Sequence, residues 1–443
     1  MINNIVKFIF QMIRKNFLFR KLTSKYFVFT SLLFIFLTPF SCQNLSGNIT
    51  VDFQKNKQVH SMVGFLHFNN IRKLEPHLKQ LKPKYWRFRW MDDSTEAVNL
   101  LIKNGIIPII VLSDKYGYPD NLGKNWKTPL KSDEYKETVK YIYSKLGNRV
   151  IYDIWNEPYM SGFGGFSSED FFILFKEIHD LIRSRPGGHD ALITGPSFEE
   201  LNRYEIENFF KFCNDNNIRF DILSWHEWRN EGDLKNMSSD IYWVKNYLLK
   251  RYPKIGIKKI VLTEIIHANI QFSPTQVFKV YDTLEKDKID GACRGCFFES
   301  EEVINCENNS ITGLLDQSGN PRSIWWATKL YSQSTENRVE SKATLDDMIS
   351  FASYDKNNGY LLLANNYKQT IKNINVIFKL KGLPLFKNNK KLKIYLYKIP
   401  NTEKDILKFP IFVYTKFETV KNGTLNLEIK DLAPQELLYI IVK

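Results

Sequence analysis

Eight short apolar segments, each followed by an amphipathic one, alternate along residues 61–333 of this 443-residue chain. The apolar segments have the length and composition of strands, and the amphipathic segments have helical spacing. The predicted strands are Met62–Phe68, Tyr85–Trp90, Ile106–Leu112, Val150–Asn156, Ala191–Thr194, Phe220–His226, Lys259–Glu264 and Ile289–Phe298. Continuous apolar strands separated by helices favour a parallel sheet whose outer face is covered. Eight such repeats predict an α/β fold, a (β/α)8 TIM barrel.

A doubly wound open sheet is the alternative fold for alternating strands and helices. Open sheets that bind nucleotides carry a glycine-rich turn between a strand and the following helix. The chain has eight full repeats and no such turn, so the barrel is favoured.

The pattern changes after about residue 334, where short strands follow one another without helices. Turns rich in Asn, Lys and Gly separate these strands. The pattern predicts a C-terminal antiparallel β-sandwich domain over residues 334–443, after a barrel over 61–333. We expect residues 43–60, which include a strand at Asn48–Phe53, to join the sandwich.

The N-terminus has the pattern of an export signal. Residues 1–25 contain six basic and no acidic residues, and the apolar run Tyr26–Phe40 precedes Ser41 and Cys42. The run is shorter than the roughly 20 residues of a membrane-spanning helix. Residues 1–42 therefore predict a signal peptide of an exported, membrane-anchored bacterial lipoprotein, lipidated at Cys42, in the periplasm or at the cell surface. Ordinary cleavage and an uncleaved anchor remain alternatives, because Phe40 stands where a small residue is usual.

The charge balance is mildly positive. The chain has 62 basic and 48 acidic residues; without residues 1–42 the balance is 56 against 48, a net charge of +8. Such a balance is compatible with an acidic polysaccharide as partner, although a lysine-rich composition is the favoured explanation. No basic block or aromatic-basic repeat indicates nucleic acid binding.

The cysteines do not form a metal-binding pattern. Cys293 and Cys296 are spaced as C-x-x-C, but the sequence has no second ligand pair for zinc. We therefore predict no metal and no cofactor. Cys213, Cys293, Cys296 and Cys306 are expected to be buried thiols, with a disulfide such as Cys296–Cys306 compatible with an exported protein.

Two of the predicted strands end on a glutamate. Ile151–Pro158 ends in Asn-Glu-Pro, where the proline stops the strand, and Lys259–Glu264 ends on Glu264. Active sites of such barrels lie at the carboxyl ends of the strands. As the fourth and seventh strands lie on roughly opposite sides, Glu157 and Glu264 would face each other. Retaining glycosidases use two carboxyl groups about 5–5.5 Å apart. The pattern therefore predicts a catalytic pair.

This pair resembles clan A of the glycoside hydrolases, and further motifs are similar to family 39, the β-xylosidases and α-L-iduronidases. The motifs are the Arg and Asp-Asp of Arg87–Asp93, the Ser-x-His-x-aromatic of Ser224–Trp228, the Leu-Thr-Glu of Leu262–Glu264 and the Gly-Leu-Leu to Pro-Arg segment of Gly313–Arg322. The resemblance covers roughly residues 48–443, and so includes the predicted sandwich.

The resemblance implies a role for each matching residue. Glu157 would be the general acid/base and Glu264 the nucleophile. Asn156 would hydrogen-bond the 2-hydroxyl of the sugar, and His226 would lie near the reacting ring.

Two arginines match the supporting cation of that family. Arg87 would support the nucleophile and keep its pKa low. Arg89 has the same strand parity, so the sequence does not decide between them.

Aromatic residues near the strand ends are candidate platforms on which sugar rings stack. Core or rim packing is the alternative role for each of them. The candidates are Trp90, Trp126, Trp225, Trp228 and Phe298.

We therefore expect a retaining glycoside hydrolase that works through a covalent glycosyl-enzyme intermediate. Its substrate would be an oligo- or polysaccharide: a β-xyloside, or a related or uronic-acid-containing glycan. The alternative is a non-catalytic glycan-binding lipoprotein on a degenerate barrel. Its motivation is Ile265–His267, which replaces the Trp-Asn that often follows the nucleophile, together with the richness in aromatic residues. Arg89, which replaces a common His, bears on the identity of the sugar. Retention of both glutamates favours the enzyme.

Overall fold

The computed structural model describes most of the chain from Leu45 to Lys443, which forms one compact unit. The described residues are 45–66, 71–91, 94–113, 132–229, 233–300, 303–306, 308–380 and 390–443. The predictions for the signal peptide, Cys42, Asp92, Asp93 and Trp126 lie outside them. None of the helices in the described ranges is long and apolar enough to span a membrane.

Eight parallel strands close into a barrel. After β1 (Leu45–Asn56), which belongs to another sheet, the barrel strands are β2 (Gly64–Leu66), β3 (Tyr85–Arg89), β4 (Ile107–Val111), β5 (Ile151–Asp153), β6 (Leu192–Phe198), β7 (Ile222–Glu227), β8 (Lys259–Ile265) and β9 (Gly291–Arg294). Each pairs in parallel with the next, and β2 pairs with β9 to close the ring. The predicted fold class is confirmed.

Helices follow the barrel strands in turn. They are α1 (Ile71–Leu81), α2 (Ser94–Lys103), α3 (Ser132–Leu146), α4 (Ser168–Arg183), α5 (Arg203–Asp215), α6 (Leu234–Trp243), α7 (Leu249–Arg251), α8 (Pro274–Lys286) and α9 (Ser323–Ser334). A π-helical segment, Val244–Leu248, joins α6 to α7. In α4, Ser167 caps the first turn by accepting a hydrogen bond from the N–H of Asp170. Phe171, Phe175 and Ile178 recur at helical spacing on its buried face.

The inside of the barrel is layered from apolar to polar. A buried apolar cluster fills its amino-terminal half: Leu66, Tyr85, Ile109, Ile151, Ile222, Val261 and Cys293. Successive side chains of a strand point to opposite faces, so the next inward residue lies two positions later. That position is Arg87 in β3, Asp153 in β5 and Ser224 in β7. A polar layer therefore lies on an apolar floor, toward the carboxyl ends of the strands.

The other strands form one nine-stranded sheet with β1. They are β10 (Arg338–Ala343), β11 (Met348–Tyr354), β12 (Gly359–Asn365), β13 (Ile371–Lys379), β14 (Lys391–Ile399), β15 (Ile411–Thr419), β16 (Thr424–Leu432) and β17 (Leu437–Val442). Their order is β15-β14-β17-β12-β11-β10-β1-β13-β16. All neighbours are antiparallel except β1 and β13, which run parallel. Strand β10 was not predicted, because its sequence RVESKA is mostly polar.

The sheet packs on the barrel through aromatic residues and a buried ion pair. The Phe351 ring lies 5.2 Å from that of Phe278 in α8 and 5.1 Å from that of Tyr331 in α9, centroid to centroid. Arg338 pairs with Glu285 at 3.0 Å. The loop of residues 400–410 between β14 and β15 also contacts the start of α9, where the N–H of Thr402 donates to Ser323 Oγ. The sheet thus carries a loop to the active-site end of the barrel.

Candidate active site

Glu157 lies just beyond β5, at the first turn after the strand. Its φ of 45° is in the left-handed region, which residues other than glycine seldom occupy. Its backbone N–H donates to the carbonyl of Ser197 at 3.0 Å, which helps hold this turn. The side chain is only 8% exposed, and its Oε1 lies 2.7 Å from Nδ1 of His226.

Glu264 comes from β8 on the other side of the mouth. The register between β7 and β8 shifts, so that Trp225 pairs with Leu262 but His226 pairs with Glu264. The shift changes the alternation of β8, because Val261 faces the barrel interior and Glu264 also does. Glu264 Oε1 lies 3.7 Å from Nε2 of His226. Both carboxylates therefore meet the same imidazole.

Arg87 connects three acceptors at the bottom of the site. Its guanidinium donates to Asp153 Oδ2 at 2.9 Å, to Glu264 Oε1 at 2.7 Å and to Asn156 Oδ1 at 2.8 Å. The arginine is buried, so these charge-assisted hydrogen bonds act with little screening by water. Arg87 therefore holds the Glu264 carboxylate in place.

Asp153 is a site residue that the sequence did not single out. It is fully buried, and the hydroxyl of Ser197 donates toward its two oxygens at 2.8 and 2.9 Å. Ser197 Oγ also lies 2.9 Å from Ser224 Oγ. Burial raises the pKa of Asp153, and Arg87 opposes that shift. Alternation from the apolar Ile151 was the signal that could have placed Asp153 inside the barrel.

Burial pushes the acid Glu157 and the imidazole His226 toward their neutral forms. It raises the pKa of Glu157 to about 7, while the nearby Arg87 acts in the opposite direction. It lowers the pKa of His226 to about 4, against the attraction of Glu264. Near neutral pH a large fraction of the Glu157 carboxyl groups therefore carries a proton, next to an uncharged imidazole.

The three side chains also have the separation of a metal-binding group. Ligand atoms of Glu157, His226 and Glu264 all lie within 4.8 Å of one another. A cation bound to Glu264 would also lie close to the Arg87 guanidinium, which is 2.7 Å from the same carboxylate. That like charge opposes a cation, and hydrogen bonds already account for the arrangement.

The predicted supporting residues differ in their contacts with the site. Asn156 is buried, its N–H donates to Ser113 Oγ at 3.1 Å, and its side-chain oxygen accepts from Arg87. Arg87 donates a hydrogen bond to Glu264 at 2.7 Å. Arg89 is half-buried and its Nε lies 3.4 Å from the sulfur of Met91.

The aromatic candidates divide into core and rim. Trp228 is half-buried, 5.9 Å from the His226 ring and 5.2 Å from that of Phe297. Phe298 is 64% exposed beyond β9. The prediction that Trp225 is a sugar platform is wrong: it is 0% exposed, packs between barrel and helices, and donates to Glu227. Trp225 and His226 are adjacent in β7, so their side chains point to opposite faces of the strand. Trp90 is buried in the same core.

Comparisons with known proteins agree with this geometry. The family model of glycosyl hydrolases family 39 matches residues 125–265, which include both glutamates and His226. No curated protein matches the sequence at a significant level.

Solved structures share the fold over almost the whole chain. A family 39 (GH39) enzyme from Xanthomonas axonopodis pv. citri superposes with a TM-score of 0.68 at 12% identity, covering 92% of this chain and 99% of its own. A monomeric β-xylosidase from Caulobacter crescentus superposes with a TM-score of 0.64 at 12% identity, covering 89% of this chain and 99% of its own. A bacterial orthologue of human α-L-iduronidase superposes with a TM-score of 0.61 at 11% identity, covering 90% of this chain and 84% of its own. At these identities the structures support the fold alone.

A barrel with this carboxylate pair and this family match defines a glycosidase. The chain is a glycosidase in which residues 125–265 match the family 39 model, and its substrate is a carbohydrate.

Proposed function

We propose that the protein is a retaining glycoside hydrolase. The observation that carries the proposal is the short separation of the two carboxyl groups: oxygens of Glu157 and Glu264 lie within 4.8 Å of each other, with His226 between them. Retaining enzymes need roughly 5–5.5 Å between the carboxyl groups, whereas inverting enzymes need about 6.5–9.5 Å to admit a water. The spacing supports the retaining arrangement.

In the first step, a Glu264 oxygen bonds to the anomeric carbon as the bond to the leaving oxygen breaks. Glu157, whose raised pKa makes its protonated form available near neutral pH, donates its proton to that leaving oxygen. The result is a glycosyl ester on Glu264.

In the second step, Glu157 acts as the base. It takes a proton from water as the water oxygen attacks the anomeric carbon. The ester bond breaks, its electron pair returns to Glu264, and Glu157 is protonated again. Overall the anomeric configuration is retained, because each step inverts it.

The surrounding side chains position this chemistry. Arg87 holds the Glu264 carboxylate through a 2.7 Å hydrogen bond, and Asp153 holds Arg87 from below. His226 orients Glu157 at 2.7 Å. Because the Asn156 oxygen accepts from Arg87, its amide N–H groups are left to donate to a sugar hydroxyl, which fits the predicted contact with the 2-hydroxyl.

For the substrate we propose a β-xyloside, or a related or uronic-acid-containing glycan. Similarity to β-xylosidases and to an α-L-iduronidase orthologue supports this range. A panel of aryl glycosides would identify the sugar, and proton NMR of the first product formed would show whether its configuration is retained. An α-anomer as first product from a β-glycoside would contradict the retaining mechanism.

Variants separate the roles of the two glutamates. Glu264→Ala should lose turnover, and azide should restore it with inverted product. Glu157→Ala should lose activity mainly on poor leaving groups, since good ones depart without protonation. A fluoro-sugar should label Glu264 covalently. Full activity of both variants would refute the assignment, and the absence of any turnover or label across the panel would favour the glycan-binding alternative.

We also propose that the protein is exported and lipidated at Cys42. The charged and apolar pattern of residues 1–42 supports this location. In cells, Cys42→Ala should move the protein from the membrane fraction to the soluble exported fraction. Unchanged membrane association would favour an uncleaved anchor.

A further inference from the structure

A disulfide-closed hairpin stands at the barrel mouth immediately after β9. Cys296 and Cys306 form the disulfide, the pairing named above as compatible with export, whereas Cys213 and Cys293 are buried thiols. In this 296–306 hairpin, of which residues 296–300 and 303–306 are described, Phe298 pairs antiparallel with Ile304. The disulfide and the strand pairing together restrict its conformation.

The base of the 296–306 hairpin is fixed to the barrel. The N–H of Phe297 donates to Asn305 Oδ1 at 2.7 Å, and Asn305 Nδ2 donates to Gln271 Oε1 at 3.0 Å. The Phe297 ring meets Trp228 edge-on at 5.2 Å, and Trp228 meets His226 at 5.9 Å. A continuous row of rings thus leads from the catalytic imidazole to the hairpin.

A buried ion pair also holds the first strand of the hairpin, at the residue that follows Phe298. Both oxygens of Glu299 accept from Arg322, each at 2.9 Å, and both side chains are buried. The Arg322 guanidinium also lies 5.0 Å from the centre of the Phe272 ring. Bidentate pairs of this kind fix direction as well as position.

The nine-stranded sheet supplies one more support. Lys404, in the 400–410 loop, donates through Nζ to the backbone carbonyl of Glu299. In return, Arg322 Nε donates to the carbonyl of Lys404 at 3.0 Å. The sheet is thereby linked directly to the residue that follows Phe298.

The Phe298 side chain itself contributes little to the stability of the fold. With 64% of its surface exposed, it buries little area in the protein, and its removal would cost the fold little. Yet its backbone is held by the disulfide, the Glu299–Arg322 pair and Lys404. An exposed ring on a fixed backbone can stack on a ligand at a reduced cost in backbone conformational entropy.

We propose that Phe298 is the platform of an additional sugar subsite, which binds the pyranose ring next to the one whose bond is cleaved. Arg322 and Lys404 are positioning residues that hold this platform. The proposal rests on the proposed glycosidase function, and it implies that the natural substrate contains at least two sugar rings.

Kinetics on short and long substrates test the platform. The aryl glycoside that the wild type cleaves fastest is compared with the trisaccharide of the same sugar. Phe298→Ala should raise KM for the trisaccharide about tenfold and leave the aryl glycoside within about twofold. Phe298→Tyr should restore the trisaccharide KM. Phe417→Ala, at a 53% exposed phenylalanine on β15, should change neither. Equal effects of Phe298→Ala on both substrates would overturn the proposal.

Lys404→Met tests the link from the sheet. A positioning role predicts a rise in trisaccharide KM of about threefold to tenfold with the same kcat for the aryl glycoside. A purely structural role would lower the melting temperature and leave the ratio of the two KM values unchanged, which would contradict the proposal for Lys404.

Failure of the glycosidase assignment is recognised separately. It would show as no wild-type turnover on any aryl glycoside. The subsite is then judged from binding of xylotriose to the wild type and to Phe298→Ala, followed by tryptophan fluorescence. At least fivefold weaker binding to the variant supports the subsite, and equal or no binding overturns it.

Discussion

The Arg87 guanidinium lies 2.7 Å from the Glu264 carboxylate, Nη1 to Oε1, and reaches it from inside the barrel. Asp153, which is completely buried, accepts from the opposite edge of the same guanidinium at 2.9 Å. Arg87 is therefore shared between a structural carboxylate and the proposed nucleophile. Loss of the arginine would affect stability and chemistry through different partners, so the two effects can be separated.

Arg87→Met should both destabilise and inactivate the enzyme. Asp153 would remain buried without its counter-charge, which typically costs about 3–5 kcal/mol of unfolding free energy. Glu264 would lose its positioned hydrogen bonds, so kcat/KM should fall by about 100-fold or more. Denaturant unfolding and turnover of an aryl glycoside measure the two effects.

The double variant Arg87→Met/Asp153→Asn is the matched control for that loss. It removes the uncompensated charge, so much of the unfolding free energy should return while activity stays low. Recovery of activity along with stability would show that Arg87 acts only on the fold.

The activity should fall as the pH rises through about 7. Glu157 must be protonated to donate to the leaving group, and burial raises its pKa to about 7. The alkaline limb of kcat/KM against pH should therefore have its midpoint near this value. Glu157→Gln should lose that limb on an aryl glycoside with a good leaving group. An unchanged alkaline limb in the variant would assign it to another residue.

The order of strands and the two catalytic candidates could be predicted from the sequence, because they depend on local patterns. Apolar runs mark the barrel strands, and Asn156-Glu157-Pro158 marks the end of one of them. An inward-facing arginine on β3 was also predictable, since Arg87 and Arg89 share the face of Tyr85, although alternation does not decide between them. The inward face of an arginine follows from the two-residue alternation of a strand, and the two glutamates follow from their positions at strand ends.

Two features of the site could not be predicted from the sequence, because they depend on contacts between distant parts of the chain. The shift between β7 and β8 turns Glu264 into the barrel, although alternation from Val261 would turn it outward. The clamp between Glu299, Arg322 and Lys404 joins residues from three distant parts of the chain. The error on Trp225 is different: its parity with respect to His226 was visible in the sequence.

Trp225 and Trp228 should respond differently to the same substitution. Trp225→Ala should cost about 3–5 kcal/mol of unfolding free energy, because a fully buried ring leaves a cavity. Trp228→Ala should instead raise KM by about tenfold, since this half-buried ring lies beside His226. Denaturant unfolding and steady-state kinetics below the melting temperature distinguish the two. A larger KM effect for Trp225→Ala would contradict the packing of that residue.

The contribution of Glu157 to stability should depend on pH. Its pKa is about 7 in the folded protein against an ordinary value of 4.5, so the folded state binds the proton more tightly. Its stabilising contribution is complete below about pH 4.5 and is lost as the pH rises through 7. Glu157→Gln cannot ionise, so its stability relative to the wild type should increase across this window by up to about 3 kcal/mol.

Unfolding curves at pH 4.5, 6 and 8 measure this difference. His226, whose pKa is lowered to about 4, gives the opposite slope between about 4 and 6.5. Because His226 is present in both proteins, its term largely cancels when the variant is compared with the wild type. Glu200→Gln, at an exposed glutamate nearby, should show no such trend. A constant difference between Glu157→Gln and wild type from pH 4.5 to 8 would mean that Glu157 ionises in the folded protein as it does in the unfolded chain.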